Sequence, residues 1–224
     1  MRSAAAYLLS LLLSALPFRG TPCCASLRLR GRADTSRAAS YLSSSSSVFP
    51  ALLVALVVQE GATRPLLWHG SKRALAALNG VAREQRMRPT TRFDTLFLAL
   101  SCGLGHGISH AAFFALPLLS LSASAATLRM DRCPQMSLFG MTAACTCAMV
   151  LMHAAAMPVA FYGWSTKHRL YSAAPAVLHA LAALASLASL APGGCVATVV
   201  LLCLVAALQL LVAGSVALAV TARQ

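Results

Sequence analysis

Five stretches of this chain, at residues 48–68, 93–121, 136–162, 171–191 and 194–221, are almost wholly apolar. Each comes to roughly the twenty positions that an α-helix needs to cross the hydrocarbon of a bilayer. Lipid offers backbone N–H and C=O groups no partners, so a spanning segment must close its own hydrogen bonds. The runs are too long and too uniformly apolar for the alternating strands of a barrel. An all-α fold follows: a polytopic transmembrane helix bundle with five clear spans. A shorter run at residues 3–18 is a marginal sixth, N-terminal span. With 58% hydrophobic and only 10% charged residues, an ordinary soluble domain is excluded.

The formal charge of +13 raises the question of nucleic acid. The basic residues, however, sit between apolar runs and build no continuous basic domain, so they read as topology signals and no nucleic-acid partner is expected. Arg64, Lys72, Arg73, Arg83, Arg86, Arg88 and Arg92 load the connection after the first clear span, and Lys167 and Arg169 load the one between the third and fourth. Both connections are expected in the cytosol. The turn at Pro192, Gly193 and Gly194 then faces the other side, Arg223 returns to the cytosol, and Arg129 and Arg132 are exceptions to the pattern.

Two units are expected: a divergent N-terminal segment, residues 1–47, and the bundle, residues 48–224. The first carries Arg2, Arg19, Arg28, Arg30, Arg32 and Arg37 against Asp34 alone and ends in the serine run 43–47. A secretory signal, an organelle transit peptide and an extra membrane helix all fit that composition. Eight cysteines, at 23, 24, 102, 133, 145, 147, 195 and 203, show no metal-ligand spacing and read as small packing residues. Pro117 and Pro158 should kink or end their helices locally.

Four groups of residues could carry chemistry. Gly103, Gly107 and Ala111 recur every fourth position on one helix face, a small-residue seam along which a second helix can approach closely. His153 and His179 lie deep in consecutive spans, where an ionisable side chain is expensive unless protein shields it, so an interhelical or intersubunit polar contact is expected. His106 and His110, also four apart, read as polar packing near a wet rim; metal or haem ligation is the alternative, though no HExxH context accompanies them. Glu60 and Arg64 form a possible ion pair one turn apart at a helix end, expected to serve solubility. The five acids, Asp34, Glu60, Glu84, Asp94 and Asp131, make no credible dyad for intramembrane proteolysis.

In order and spacing, these residues resemble the anterior pharynx defective (Aph) family, the multi-pass scaffold subunit of gamma-secretase. Val57, Val58, Gln59 and Glu60 with Arg64 resemble the family's apolar-Gln-Glu helix, and Cys102 to Ile108 its glycine-bearing segment. Val150, Leu151, Met152 and His153, a basic turn at 167–171, and Val177, Leu178 and His179 resemble its two intramembrane histidine segments. The third rung is Ala111 where the family has Gly, His106 and His110 replace apolar or small residues, and the run at 3–18 resembles the family's second helix, leaving the first absent. The resemblance implies a noncatalytic assembly subunit without cofactor that stabilises presenilin and supports intramembrane proteolysis of type I membrane proteins. Its implied partners are presenilin, nicastrin and the presenilin enhancer subunit, in endoplasmic reticulum, Golgi and plasma membrane. An organelle membrane protein holding haem or metal on His106, His110, His153 and His179 stays open as the rival, as does a small transporter with histidines along a proton path.

Overall fold

The computed structural model describes residues 53–54, 56–122, 129–130, 133–191 and 193–222. Residues 1–47, with the marginal helix at 3–18, lie outside them, as do the first residues of the 48–68 run. From Gln59 to Thr63 the chain makes a π-helical turn that leads directly into α1, Arg64–Glu84. After it come α2 (Arg92–Ser122), a short antiparallel hairpin of β1 (Arg129–Met130) and β2 (Cys133–Ser137), α3 (Leu138–Thr166), α4 (Arg169–Ser186) and α5 (Gly194–Thr221). A single 3-10 turn, Leu187–Leu190, finishes α4.

Four helices are long and apolar enough to cross a membrane: Arg92–Phe113, Leu138–Thr166, Arg169–Ser189 and Gly194–Thr221. These answer the second to fifth expected spans; the first expected run, whose opening residues lie outside the described ones, is not among these four. The described part of the first run instead continues through the π turn into α1, whose charged residues Lys72, Arg73 and Arg83 carry it out of apolar surroundings. The all-α expectation also needs one amendment, the β1–β2 hairpin, which occupies the start of the expected 136–162 run and delays α3 to Leu138.

Local chemistry sets the helix ends. Thr91 and Asp94 form a reciprocal capping box at the start of α2: the Asp94 carboxylate accepts from the Thr91 N–H at 2.6 Å, and the Thr91 hydroxyl accepts from the Asp94 N–H at 3.2 Å. Ser137 accepts from the Gly140 N–H at 3.0 Å and starts α3. Lys167, in the left-handed conformation at φ 56°, ends α3 and turns the chain into α4.

α3 is the central helix. Of its span 61% is buried, against 22–28% for the other three, in keeping with a sequence that is apolar on every side. Toward one end Leu138, Met141, Cys145 and Met152 of α3 pack with Leu202 and Ala206 of α5. Toward the other, Met157 and Phe161 meet Ala99 of α2 and Trp68 of α1, and Val159 meets Val216 and Val220 of α5. The basic connection between α1 and α2, the Lys167–Arg169 turn and the C-terminus of α5 share one side, which the positive-inside tendency makes cytosolic. The hairpin and the α4–α5 turn share the opposite side.

Candidate functional site: a buried imidazole core

The glycine seam determines what can meet at mid-depth. A Cβ added at Gly103 would stand 2.7 Å from the carbonyl oxygens of both His153 and Ala154, and one at Gly107 would stand 2.9 Å from the Val150 oxygen and 3.3 Å from the His153 Cβ. Only a bare backbone fits there, so α2 lies directly against the turn of α3 that carries His153. Ala111 is half-buried on the same helix. Gly105, on the far face, has nothing within 4 Å of its added Cβ.

With α2 and α3 this close, the imidazoles collect. At 1.5 Å rise per residue, His106 lies about 21 Å from the cytosolic start of α2, His153 about 20 Å from the cytosolic end of α3, and His179 about 15 Å from the start of α4. All three fall near the middle of a hydrocarbon layer of roughly 30 Å. The His153 ring is the hub: its centroid lies 4.8 Å from His106, 5.0 Å from His110 and 5.0 Å from His179, edge-on to the first and last. All four rings are buried.

The π turn closes this core from the α1 side. Its wider pitch directs the neighbouring residues Gln59 and Glu60 to different partners. The Gln59 amide donates to His110 Nδ1 at 3.2 Å and lies 3.5 Å from His106 Nε2, both on α2. Glu60 accepts from His179 Nδ1 of α4 at 2.7 Å through one oxygen and from Arg64 Nη1 at 2.5 Å through the other. Thus α1, α2, α3 and α4 are tied together by one buried set of polar and ring contacts. Mid-helix π turns are frequent at functional sites because they re-aim side chains in this way.

Several expectations change here. Glu60 and Arg64 do pair, but not as a solubilising helix end: Arg64 is only 2% exposed. An i,i+4 acid–base pair reads the same on a wet surface and in a core, so spacing alone does not separate the two. His106 and His110 are not at a wet rim but inside the same cluster as His153 and His179. Gln59 stood in the sequence only as part of a resemblance, and its bridging role depends on the π turn, which leaves no periodicity signal. Similar depth of His106, His153 and His179 was the available clue, since each can be counted from its own cytosolic helix end.

The cysteines also divide differently. Cys133 of the hairpin and Cys195 at the start of α5 form a disulfide, in which Cys102, Cys147 and Cys203 take no part. The signal available in the sequence was their shared side, since Cys133 and Cys195 both lie at non-cytosolic ends of the spans, where disulfides persist. Reading all eight as packing residues is therefore corrected for these two. Cys23 and Cys24 lie outside the described residues.

As chemistry, the core holds rather than transforms. Among the described residues no group of three or more His, Cys, Asp or Glu side chains is set to hold a metal ion. The imidazoles meet ring to ring, and that arrangement does not favour the haem or metal rival. Glu60 is the acid at membrane depth, and both its oxygens are engaged by Arg64 and His179.

Fold and core together define a polytopic membrane protein whose spanning helices are locked by a central polar cluster and a glycine seam. Its sequence matches the family described as Aph-1 protein over residues 1–220, a stretch that takes in the N-terminal segment as well as the bundle. The chain belongs to the Aph-1 family. It is 37% identical over 164 residues to a protein of Arabidopsis thaliana named "Gamma-secretase subunit APH1-like", covering 73% of this chain and 65% of that relative. The chain thus spans just under two thirds of the length of the relative it matches. No solved structure matches it.

Proposed function

We propose that this chain is a noncatalytic scaffold subunit of a gamma-secretase-type intramembrane aspartyl protease, with presenilin, nicastrin and the presenilin enhancer subunit as its partners. The reading rests on family membership and is carried by one structural observation: the only strongly polar assembly at membrane depth among the described residues joins four helices to one another. In this role Gly103, Gly107 and Ala111 set the α2–α3 approach, and His153 and His179, with the Glu60–Arg64 pair, fix the bundle's shape. Because their rings are enclosed within the chain, the histidines support assembly by holding the helices that partners dock on. The proteolytic chemistry on type I membrane proteins belongs to presenilin. Endoplasmic reticulum, Golgi and plasma membrane are the compartments that such a complex occupies.

The test is co-purification of presenilin with tagged chain from cells expressing all four subunits. The His153→Ala/His179→Ala double variant should recover several-fold less presenilin while inserting into membranes as well as wild type. Equal recovery would remove the histidines from the scaffold role. Failure of the wild-type chain to bring down presenilin would remove the role itself.

A further inference from the structure

The cytosolic end of the bundle carries a feature that the polar core does not use. Gly163 lets the start of α4 press against α3, with the Ser172 and Tyr171 backbone beside it, so the α3–α4 hairpin closes tightly and sets Lys167 and Arg169 at its lip. On the facing side α1 passes with Trp68 packed on Phe161 at 5.0 Å and on Trp164 at 6.0 Å. Lys72 of α1 places its ammonium 5.2 Å from the Trp68 ring centre. Between these elements lies an open cleft of about 620 Å³, floored by Pro65, Trp68 and Trp164 and bordered by His69, Lys167 and Arg169. No carboxylate among the described residues lines it.

Lys167 at the end of α3 and Arg169 at the start of α4 thus converge over an aromatic floor, at the height where the bilayer gives way to cytosol. A basic rim made only for topology would need neither the concavity nor the tryptophans. An amphipathic anion satisfies both parts: a phosphate takes the Lys167 and Arg169 charges, while its glycerol and upper acyl segments lie on Pro65, Trp68 and Trp164. Basic pockets between transmembrane helices on the cytosolic side suit anionic headgroups, and that leaflet is the one that supplies them. Tryptophan prefers the same interfacial level. We propose that the cleft between α1 and the α3–α4 turn is a binding site for the phosphate headgroup of an anionic phospholipid of the cytosolic leaflet.

The chain provides its own reporter, because its two tryptophans, Trp68 and Trp164, both line the cleft. Full-length chain is reconstituted in phosphatidylcholine bilayers containing, at the same low mole fraction, either phosphatidylserine or phosphatidylcholine with brominated acyl chains, and tryptophan quenching is measured. Brominated phosphatidylserine should quench at a mole fraction lower than brominated phosphatidylcholine by roughly thirtyfold, the effect of about two cations near the lipid surface. Lys167→Asn with Arg169→Gln should abolish that preference while keeping quenching by phosphatidylcholine; Asn is chosen because it tolerates the left-handed conformation at 167. Unchanged circular dichroism and emission maximum in plain phosphatidylcholine establish that the variant is folded. Equal quenching by the two lipids in wild type, or a preference that survives the double substitution, would overturn the proposal. Displacement of the phosphatidylserine effect by an equal amount of inorganic phosphate would also overturn it, by assigning the site to a soluble anion.

Discussion

Removing the Glu60 carboxylate should unlock the polar core more than any other single change. Arg64 is only 2% exposed, and Glu60 is the acid that faces it, so Glu60→Ala strands a guanidinium among apolar side chains. The same change takes the acceptor from His179 Nδ1. Each charge-assisted bond contributes about 1.5–3 kcal/mol, and breaking a buried pair by deleting one member costs about 3–5 kcal/mol. We therefore expect Glu60→Ala to destabilise the bundle by about 3–5 kcal/mol, on the order of 10²- to 10⁴-fold in the folding equilibrium. Glu60→Gln, which keeps shape and one acceptor, should lose about half as much. Replacing both partners, as Glu60→Leu with Arg64→Met, should recover most of the loss, because no orphaned charge is left behind. Reversible unfolding in bicelles followed by steric trapping measures all four proteins. A Glu60→Ala variant within about 1 kcal/mol of wild type, or a double variant no more stable than the single one, would refute a buried and mutually dependent pair.

Three further outcomes are expected. Gly103→Val should cost about 1–3 kcal/mol by forcing α2 off the His153 and Ala154 carbonyls, whereas Gly105→Ala, on the open face, should be neutral or stabilise by up to about 1 kcal/mol; the same unfolding assay compares them. His153→Phe keeps the ring contacts to His106 and His179 and should stay within about 1.5 kcal/mol of wild type, while His153→Ala opens a cavity and should lose about 2–4 kcal/mol; similar losses for both would show that ring packing is not what matters at the hub. Cys195→Ser should free Cys133 to thiol labelling without denaturant-free loss of insertion, and the 62-residue separation of the pair caps its contribution at about 4 kcal/mol. Absence of a thiol gain on non-reducing mass analysis would show that the bond does not form.

The spanning helices were legible because hydrocarbon imposes a length and a polarity that composition must obey, as 136–162 and 194–221 plainly do. So was the seam, since Gly103 and Gly107 share a face at the helical repeat. What stayed hidden was three-dimensional in origin. The π turn inserts one extra residue per turn without altering polarity, yet it decides that Gln59 reaches α2 while Glu60 reaches α4. The burial of Arg64 is set by the packing of helices distant in sequence, which no local pattern records. His106 and His110 looked peripheral because short-range spacing was weighed ahead of depth. The start of α3 was placed two residues early because the apolar Met136 continues the run that follows it, whereas the hairpin register takes Met136 and Ser137 into β2.

The Cys133–Cys195 bond joins the approach to α3 with the first turn of α5 on the non-cytosolic face. That rim is therefore riveted, and the long helices leaving it have freedom only at their far tips. Any splaying needed to admit a neighbouring subunit must resemble tweezers pinned at one end, widest beside Val216, Val220 and the Lys167 turn and smallest at the rivet. Between rivet and tips, the packing of Met152 on Leu202 and Ala206 is the point at which the two arms are gripped.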